Sequence, residues 1–303
     1  MESLADLGPR MRALKEQIDR VLLGQEQVKE RVLVCLLAGG HVLLEGVPGT
    51  GKTLLALALA KLVGCRFRRI QFTPDLMPVD LLGTNVFSPK TQDFVFHPGP
   101  IFTDLLLADE VNRTPPKTQS ALLEAMQEHA ATIDGERHEI SPVFTVFATQ
   151  NPVEFEGTYP LPEAQRDRFL MKVSIDFPAK DDELRMLQAY AGGTRLHDEA
   201  LAQLQPVVTQ EELARARRIV SHGVRTEPAM LDYILKIVSA TRTNDAVQYG
   251  AGPRATLALL ESSRALAVLR GRDFITPDDV KELAAPVLVH RVTLTPEAEM
   301  EGT

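Results

Sequence analysis

Residues 46–53 read GVPGTGKT and stand between the apolar run HVLLE and a second one, LLALALAKLV. An apolar segment that ends in a glycine-rich octapeptide and resumes at helical spacing reads as strand, tight loop and helix, the context a phosphate cradle requires. Glycines let successive backbone N–H groups converge on phosphate oxygens, and the N-terminus of the next helix adds positive potential. The expected contacts are Gly46, Val47, Pro48, Gly49, Thr50, Gly51 and Leu54. Lys52 would neutralise the outer phosphates, and the Thr53 hydroxyl would ligate magnesium.

The rest of the chain divides by its apolar pattern. HVLLEG (41–46), RRIQFT (68–73), LLLADEV (105–111), PVFTVFATQN (142–151) and MKVSIDF (171–177) are short apolar or β-branched runs separated by helix-like stretches. Such a series predicts a parallel sheet covered on both faces. From about Asp181 the strand signals stop, and 209–221, 227–242, 253–271 and 276–290 carry helical spacing, several opening with Thr or Pro in capping positions. We therefore expect an α/β domain over 1–178 and an all-α lid over 179–303, joined by the short linker FPAKDD.

Composition narrows the class. With 303 residues and 44% hydrophobic content the chain can bury a core, and no apolar stretch reaches the roughly eighteen residues of a membrane span. The N-terminus MESLADLGPRMRALKEQ is too charged for a signal peptide, so a cytoplasmic location is expected. Cys35 and Cys65 lie in apolar helical contexts without metal or redox spacing, and the seven histidines form no HxxxH or HExxH pair. A net charge of −8 argues against a surface that tracks nucleic-acid phosphates.

LLLADE (105–110) is the second chemical feature. A buried strand that ends in two acids is costly unless they act at a mouth. There Asp109 would hold magnesium and Glu110 would polarise an attacking water.

With these motifs, LLLADEVNRTPPKTQSALLEAMQE (105–128), ATQNPVEFEGTYPLPEAQRDRF (148–169) and GPRATLALL (252–260), the chain resembles the AAA+ ATPases, and within them the MoxR family, along nearly its whole length. The resemblance implies a P-loop NTPase three-layer domain with a central parallel sheet, followed by a helical lid. It also implies ATP and Mg2+ as cofactors, a homo-oligomeric ring, expected as a hexamer, and chaperone-like work on a client protein. A von Willebrand factor A domain partner and metal-cofactor insertion belong to the same expectation. A nucleic-acid-acting motor and a slow nucleotide-gated binding module are the alternatives. The acidic balance weighs against the first, and the retention of Glu110, Asn151 and Arg168 against the second.

The resemblance also assigns roles. Asn151 resembles sensor 1, between the phosphate loop and the acids if the sheet has the inserted-strand order of this class. Arg168, in DRF, resembles the arginine finger, which acts only from another subunit; Arg166 departs from the usual apolar residue and could share its role. Arg254 resembles sensor 2, linking γ-phosphate state to the angle of the helical half. Val21 to Gln25, including Gly24, resemble the stretch that lines the adenine pocket. Asn112 and Arg113 are expected at the subunit junction, and Leu122, Ala125 and Met126 on the packing face of a helix over 117–128. Two inserts, about 74–103 and 131–140, read as hairpins and resemble the axial working surface of the clade.

Overall fold

A computed structural model describes residues 4–47, 49–151, 157–191 and 196–301. In chain order the first half comprises α1 (Leu4–Val21), α2 (Glu26–Ala38), β1 (Val42–Glu45), α3 (Lys52–Leu62), β2 (Phe67–Gln71), α4 (Pro78–Leu82), β3 (Gly83–Ser88), β4 (Asp93–Pro98) and β5 (Leu105–Asp109). It continues with α5 (Pro116–Glu128), β6 (Ala130–Ile133), β7 (Glu136–Glu139), β8 (Thr145–Gln150), α6 (Glu163–Arg166) and β9 (Met171–Ser174). The second half comprises α7 (Lys180–Ala191), α8 (Leu196–Gln203), α9 (Gln210–Gly223), α10 (Pro228–Ala240), β10 (Val247–Tyr249), α11 (Pro253–Leu269), α12 (Pro277–Leu288), β11 (Thr293–Leu294) and α13 (Pro296–Glu301).

The central sheet has the order β2-β5-β8-β1-β9, and every pairing in it is parallel. Strands covered on both faces must be apolar at consecutive positions rather than alternating ones. Leu105 to Asp109 are accordingly buried throughout β5. Val42, Leu44, Leu105, Leu107 and Phe147 join one core, while Leu43, Leu106, Ala108, Val146 and Ala148 point to the other. Leu122, Ala125 and Met126 of α5 pack in that second core, as their helical spacing predicts. The strand order sets β8 between β1 and β5. Asn151, directly after β8, therefore stands between the glycine loop and the acids.

Both inserts form antiparallel hairpins, β3–β4 and β6–β7. Val86, Phe87, Phe94 and Val95 of the first are exposed. In the second half, capping boxes at Thr209/Glu212 and Thr276/Asp279 start α9 and α12. The second half is helical as expected and carries in addition one short antiparallel pair, β10 and β11. Strands of three and two residues are too short to show a period. α1 and α2 pack against α9 and α11, so the N-terminal helices bind the two halves together. Both cysteines are free thiols; burial pushes Cys35 well above the usual thiol range and Cys65 up to about 12.

Candidate functional site

The loop leaves β1 and enters α3, whose N-cap is Gly51. Gly51 has φ +87°, a left-handed backbone that side-chain-bearing residues rarely adopt, and an added Cβ would lie 2.9 Å from Leu22 Cδ1. Lys52 Nζ donates to the carbonyls of Gly46 at 2.8 Å and Val47 at 2.7 Å. Burial lowers its pKa from the ordinary lysine value, and the negative charges of Asp109 and Glu110 oppose that shift. Thr50 Oγ1 donates to Val47 O at 3.1 Å. A cleft of about 530 Å³ is lined by Gly46, Gly49, Thr50, Gly51, Lys52, Thr53 and Leu54, together with Asp109, Glu110 and Asn151. Pro48 lies outside the described residues. Gln25, the N-cap of α2, donates to Thr50 O at 3.2 Å and to Asp176 O at 3.3 Å. Neither Gln25 nor Gly24 is among the residues that line the cleft. Gly24, with φ +68°, is approached by Asp182, whose Oδ2 would stand 2.2 Å from an added Cβ.

The acids stand where β5 ends. Asp109 is 6% exposed and accepts from Arg69 Nε at 2.6 Å and from Thr149 Oγ1 at 3.2 Å. Glu110 has φ 58° and ψ 50°, a left-handed conformation uncommon for a residue with a side chain. Its N–H donates to Thr149 Oγ1 at 2.8 Å. Its carboxylate accepts from Gln71 Nε2 at 2.8 Å and pairs with Arg113 Nε at 3.0 Å. Arg113, expected at a subunit junction, pairs with the acid of its own chain. Asn112, the other residue expected at a junction, is buried, and its carbonyl accepts from Tyr159 N. Arg69, Gln71 and Thr149 were not foreseen as site residues. Their signal was polar residues near the C-terminal ends of strands in an α/β sheet, where ligand crevices open.

Arg168 and Arg254 are elsewhere. Arg168 lines a second concavity with Ser120, Glu124, Arg137 and Gln165, outside the phosphate cleft of its own chain. The Nε of Arg166 is buried without a hydrogen-bond partner among the described residues. Arg254, expected to link γ-phosphate state to the angle of the helical half, pairs with Asp167 Oδ2 at 3.5 Å and shares a concavity with Arg168 and Arg291. The cause is the docking of the helical half onto the segment between α6 and β9. Arg291 donates there to Asp167 Oδ1 at 2.8 Å and to Phe169 O at 2.6 Å, and His290 Nε2 meets Phe169 O at 3.1 Å. That contact holds the N-terminus of α11 beside Arg168.

A parallel sheet of this order, with a glycine loop after β1 and an acid pair closing β5, defines an AAA+ P-loop ATPase. The family described as "ATPase family associated with various cellular activities (AAA)" matches residues 41–171, and the AAA lid domain matches 239–303. The chain is 46% identical to the Bacillus subtilis protein YeaC, over 98% of this chain and 91% of that one. It is 44% identical to Chaperone MoxR1 of Mycobacterium tuberculosis, over 93% of this chain and 75% of that one. The crystal structure of a candidate ATPase from Cytophaga hutchinsonii superposes with a TM-score of 0.89 at 38% identity, covering 99% of this chain and 92% of that one. The chain belongs to the MoxR family of AAA+ ATPases. Among the described residues no helix is long and apolar enough to cross a membrane.

Proposed function

We propose that this ATPase works as a magnesium-dependent homo-oligomeric ring, a hexamer, whose hydrolysis sites lie at seams between subunits. The observation that carries this reading is the separation of parts within one chain. Lys52, Thr53, Asp109, Glu110 and Asn151 share a cleft, whereas Arg168 and Arg254 stand together outside it. A guanidinium that stabilises charge developing on a transferred phosphoryl group must reach that group, and a neighbouring copy can supply it.

In the cleft, Lys52 exchanges its loop carbonyls for phosphate oxygens, and the loop N–H groups hold the β-phosphate. The Thr53 hydroxyl and the Asp109 carboxylate are hard oxygen donors that fit magnesium, which when bound neutralises charge between the β- and γ-phosphates. Glu110 orients the attacking water and takes its proton, with Asn151 as a neutral donor to the same water. Arg168 of the adjoining copy approaches the γ-phosphate, with Arg254 beside it.

The output is chaperone-like remodelling or maturation of a client protein. The name of the Mycobacterium tuberculosis relative supports this, as does the exposed apolar strip on β3–β4. A von Willebrand factor A domain partner and metal-cofactor insertion into the client are the family-based refinements of the same reading.

Mixing subunits tests the seam. Arg168→Ala and Glu110→Gln chains should each be inactive alone. Randomly mixed, they should regain about a quarter of wild-type turnover, because roughly one junction in four pairs an intact finger with an intact Glu110. No recovery in assemblies shown to contain both chains would overturn the proposal.

A further inference from the structure

β2 is an edge strand, and residues two apart on a strand face the same way. Arg69 and Gln71 are such a pair, and both line the phosphate cleft. The β2–β5 register sets Gln71 opposite Asp109. From that strand Arg69 reaches across to Asp109, so the carboxylate has both oxygens engaged, Oδ2 by Arg69 Nε at 2.6 Å and Oδ1 by the Thr149 hydroxyl at 3.2 Å.

The two partners are unlike in freedom. The Asp109 side chain is 8% exposed and anchored at the end of a buried strand, while that of Arg69 is 52% exposed at the sheet edge. A buried carboxylate is costly without a counter-charge, and Arg69 is the cation hydrogen-bonded to it. Lys52 is committed to the loop carbonyls, and Arg113 to Glu110. A divalent ion needs the same carboxylate oxygens, with their lone pairs directed at it or at its bound water.

We propose that Arg69 is a positioning residue that competes with magnesium for Asp109: it neutralises and orients the carboxylate when no divalent ion is there and yields it when one arrives. The competition sets how strongly nucleotide binding depends on magnesium. With Arg69 in place, a triphosphate entering without metal meets a compensated Asp109. Without Arg69 it meets a bare buried charge, while magnesium meets no rival. The two effects act in opposite directions, which a merely structural role for Arg69 would not produce.

The proposal rests on Asp109 being a magnesium ligand. The test measures affinity for ATP carrying a methylanthraniloyl fluorophore on its ribose, by fluorescence titration of the full chain in EDTA and in saturating magnesium. In Arg69→Gln the ratio of the two affinities should rise about fivefold over wild type, through weaker binding in EDTA. Arg69→Met should behave alike, and Arg69→Lys, which keeps the charge, should stay near the wild-type ratio. Thermal melts in EDTA confirm that each variant is folded; the half-exposed position makes Arg69→Met a second route if the glutamine variant is not. In an Asp109→Asn background, Arg69→Gln should leave the ratio unchanged. A ratio in Arg69→Gln and Arg69→Met that equals or falls below wild type would overturn the proposal alone. A wild-type chain that binds ATP equally with and without magnesium would overturn the role of Asp109 and the proposal with it.

Discussion

Replacing Arg291 by alanine measures how firmly the helical half holds the segment that carries Arg168. The Arg291 side chain is 2% exposed, and it donates to Asp167 Oδ1 at 2.8 Å. It also donates to the carbonyls of Asp167 at 3.2 Å, Phe169 at 2.6 Å, Leu170 at 3.0 Å and Val287 at 2.5 Å. Burial pulls its pKa down, and the Asp167 carboxylate resists that pull. Alanine would strand several buried acceptors, each worth about 1–3 kcal/mol, although water entering the void recovers part of the sum. Asp167 stays partly exposed and keeps Arg254, so the ion pair itself adds little, and about 4 kcal/mol is expected from the stranded carbonyls. Against a typical total of about 5–15 kcal/mol, that loss moves an unfolding midpoint far outside experimental scatter.

Asp167→Asn supplies the contrast. The Asp167 side chain is 31% exposed, asparagine keeps an acceptor oxygen, and the carbonyl contacts of Arg291 survive, so about 1 kcal/mol is expected. Urea unfolding followed by far-ultraviolet circular dichroism gives both values if the slope is unchanged. A loss below about 1 kcal/mol in Arg291→Ala, or equal losses in the two variants, would show that this guanidinium is not what clamps the lid to the segment after α6.

Lys52→Ala should lose ATP affinity by at least about tenfold, while Glu110→Gln should keep ATP and stop turnover; equal binding losses, measured by equilibrium titration, would break the division of roles. A pH prediction comes from His41, whose Nδ1 accepts from Val146 N at 3.0 Å and whose Nε2 faces Met126 O at 3.1 Å, an arrangement that fits the neutral ring. Burial drives its pKa to about 3, with the Met126 carbonyl opposing. The native value lies below the unfolded one of about 6.5, so its contribution is complete above that pH and is lost as pH falls toward 3. At about pH 5 the loss is about 2 kcal/mol. Melting temperatures between pH 7.5 and 5 should fall, and His41→Gln should shallow that slope; an identical slope would refute the assignment.

The strand–loop–helix around Lys52 was legible because the chemistry of a phosphate cradle forces a local pattern that no distant residue needs to complete. The sheet strands and the hairpins were legible for a similar reason, since burial on both faces and turn chemistry leave marks within a few positions. The partners of the acids were less so. Arg69 and Gln71 look like ordinary polar positions of an edge strand until the register sets Gln71 opposite Asp109. Least legible was the place of Arg254. It is fixed by Asp167 and by Arg291, which follows Asp167 by 124 positions, and no local pattern records such a contact.

That contact bears on how hydrolysis becomes motion. The helical half reaches the phosphate cleft of its own chain through α8, where Leu201 forms part of the wall and its carbonyl accepts from Lys61 at 2.9 Å. At its other end Arg254 and Arg291 hold Asp167, next to Arg168. α1 packs against both α8 and α11, so the wall of the cleft and the arginines beside Arg168 are joined through it. On the seam reading, a change in the first cleft that moves α8 also shifts the arginines offered to the next copy, because packed helices transmit strain rather than absorb it. Loosening the second contact should then uncouple neighbouring sites while leaving each cleft able to bind nucleotide. Arg291→Ala chains mixed with wild type should therefore retain fluorescent ATP affinity and lose turnover in proportion to the share of seams they supply; a matching fall in affinity would place the effect of Arg291 in its own cleft instead.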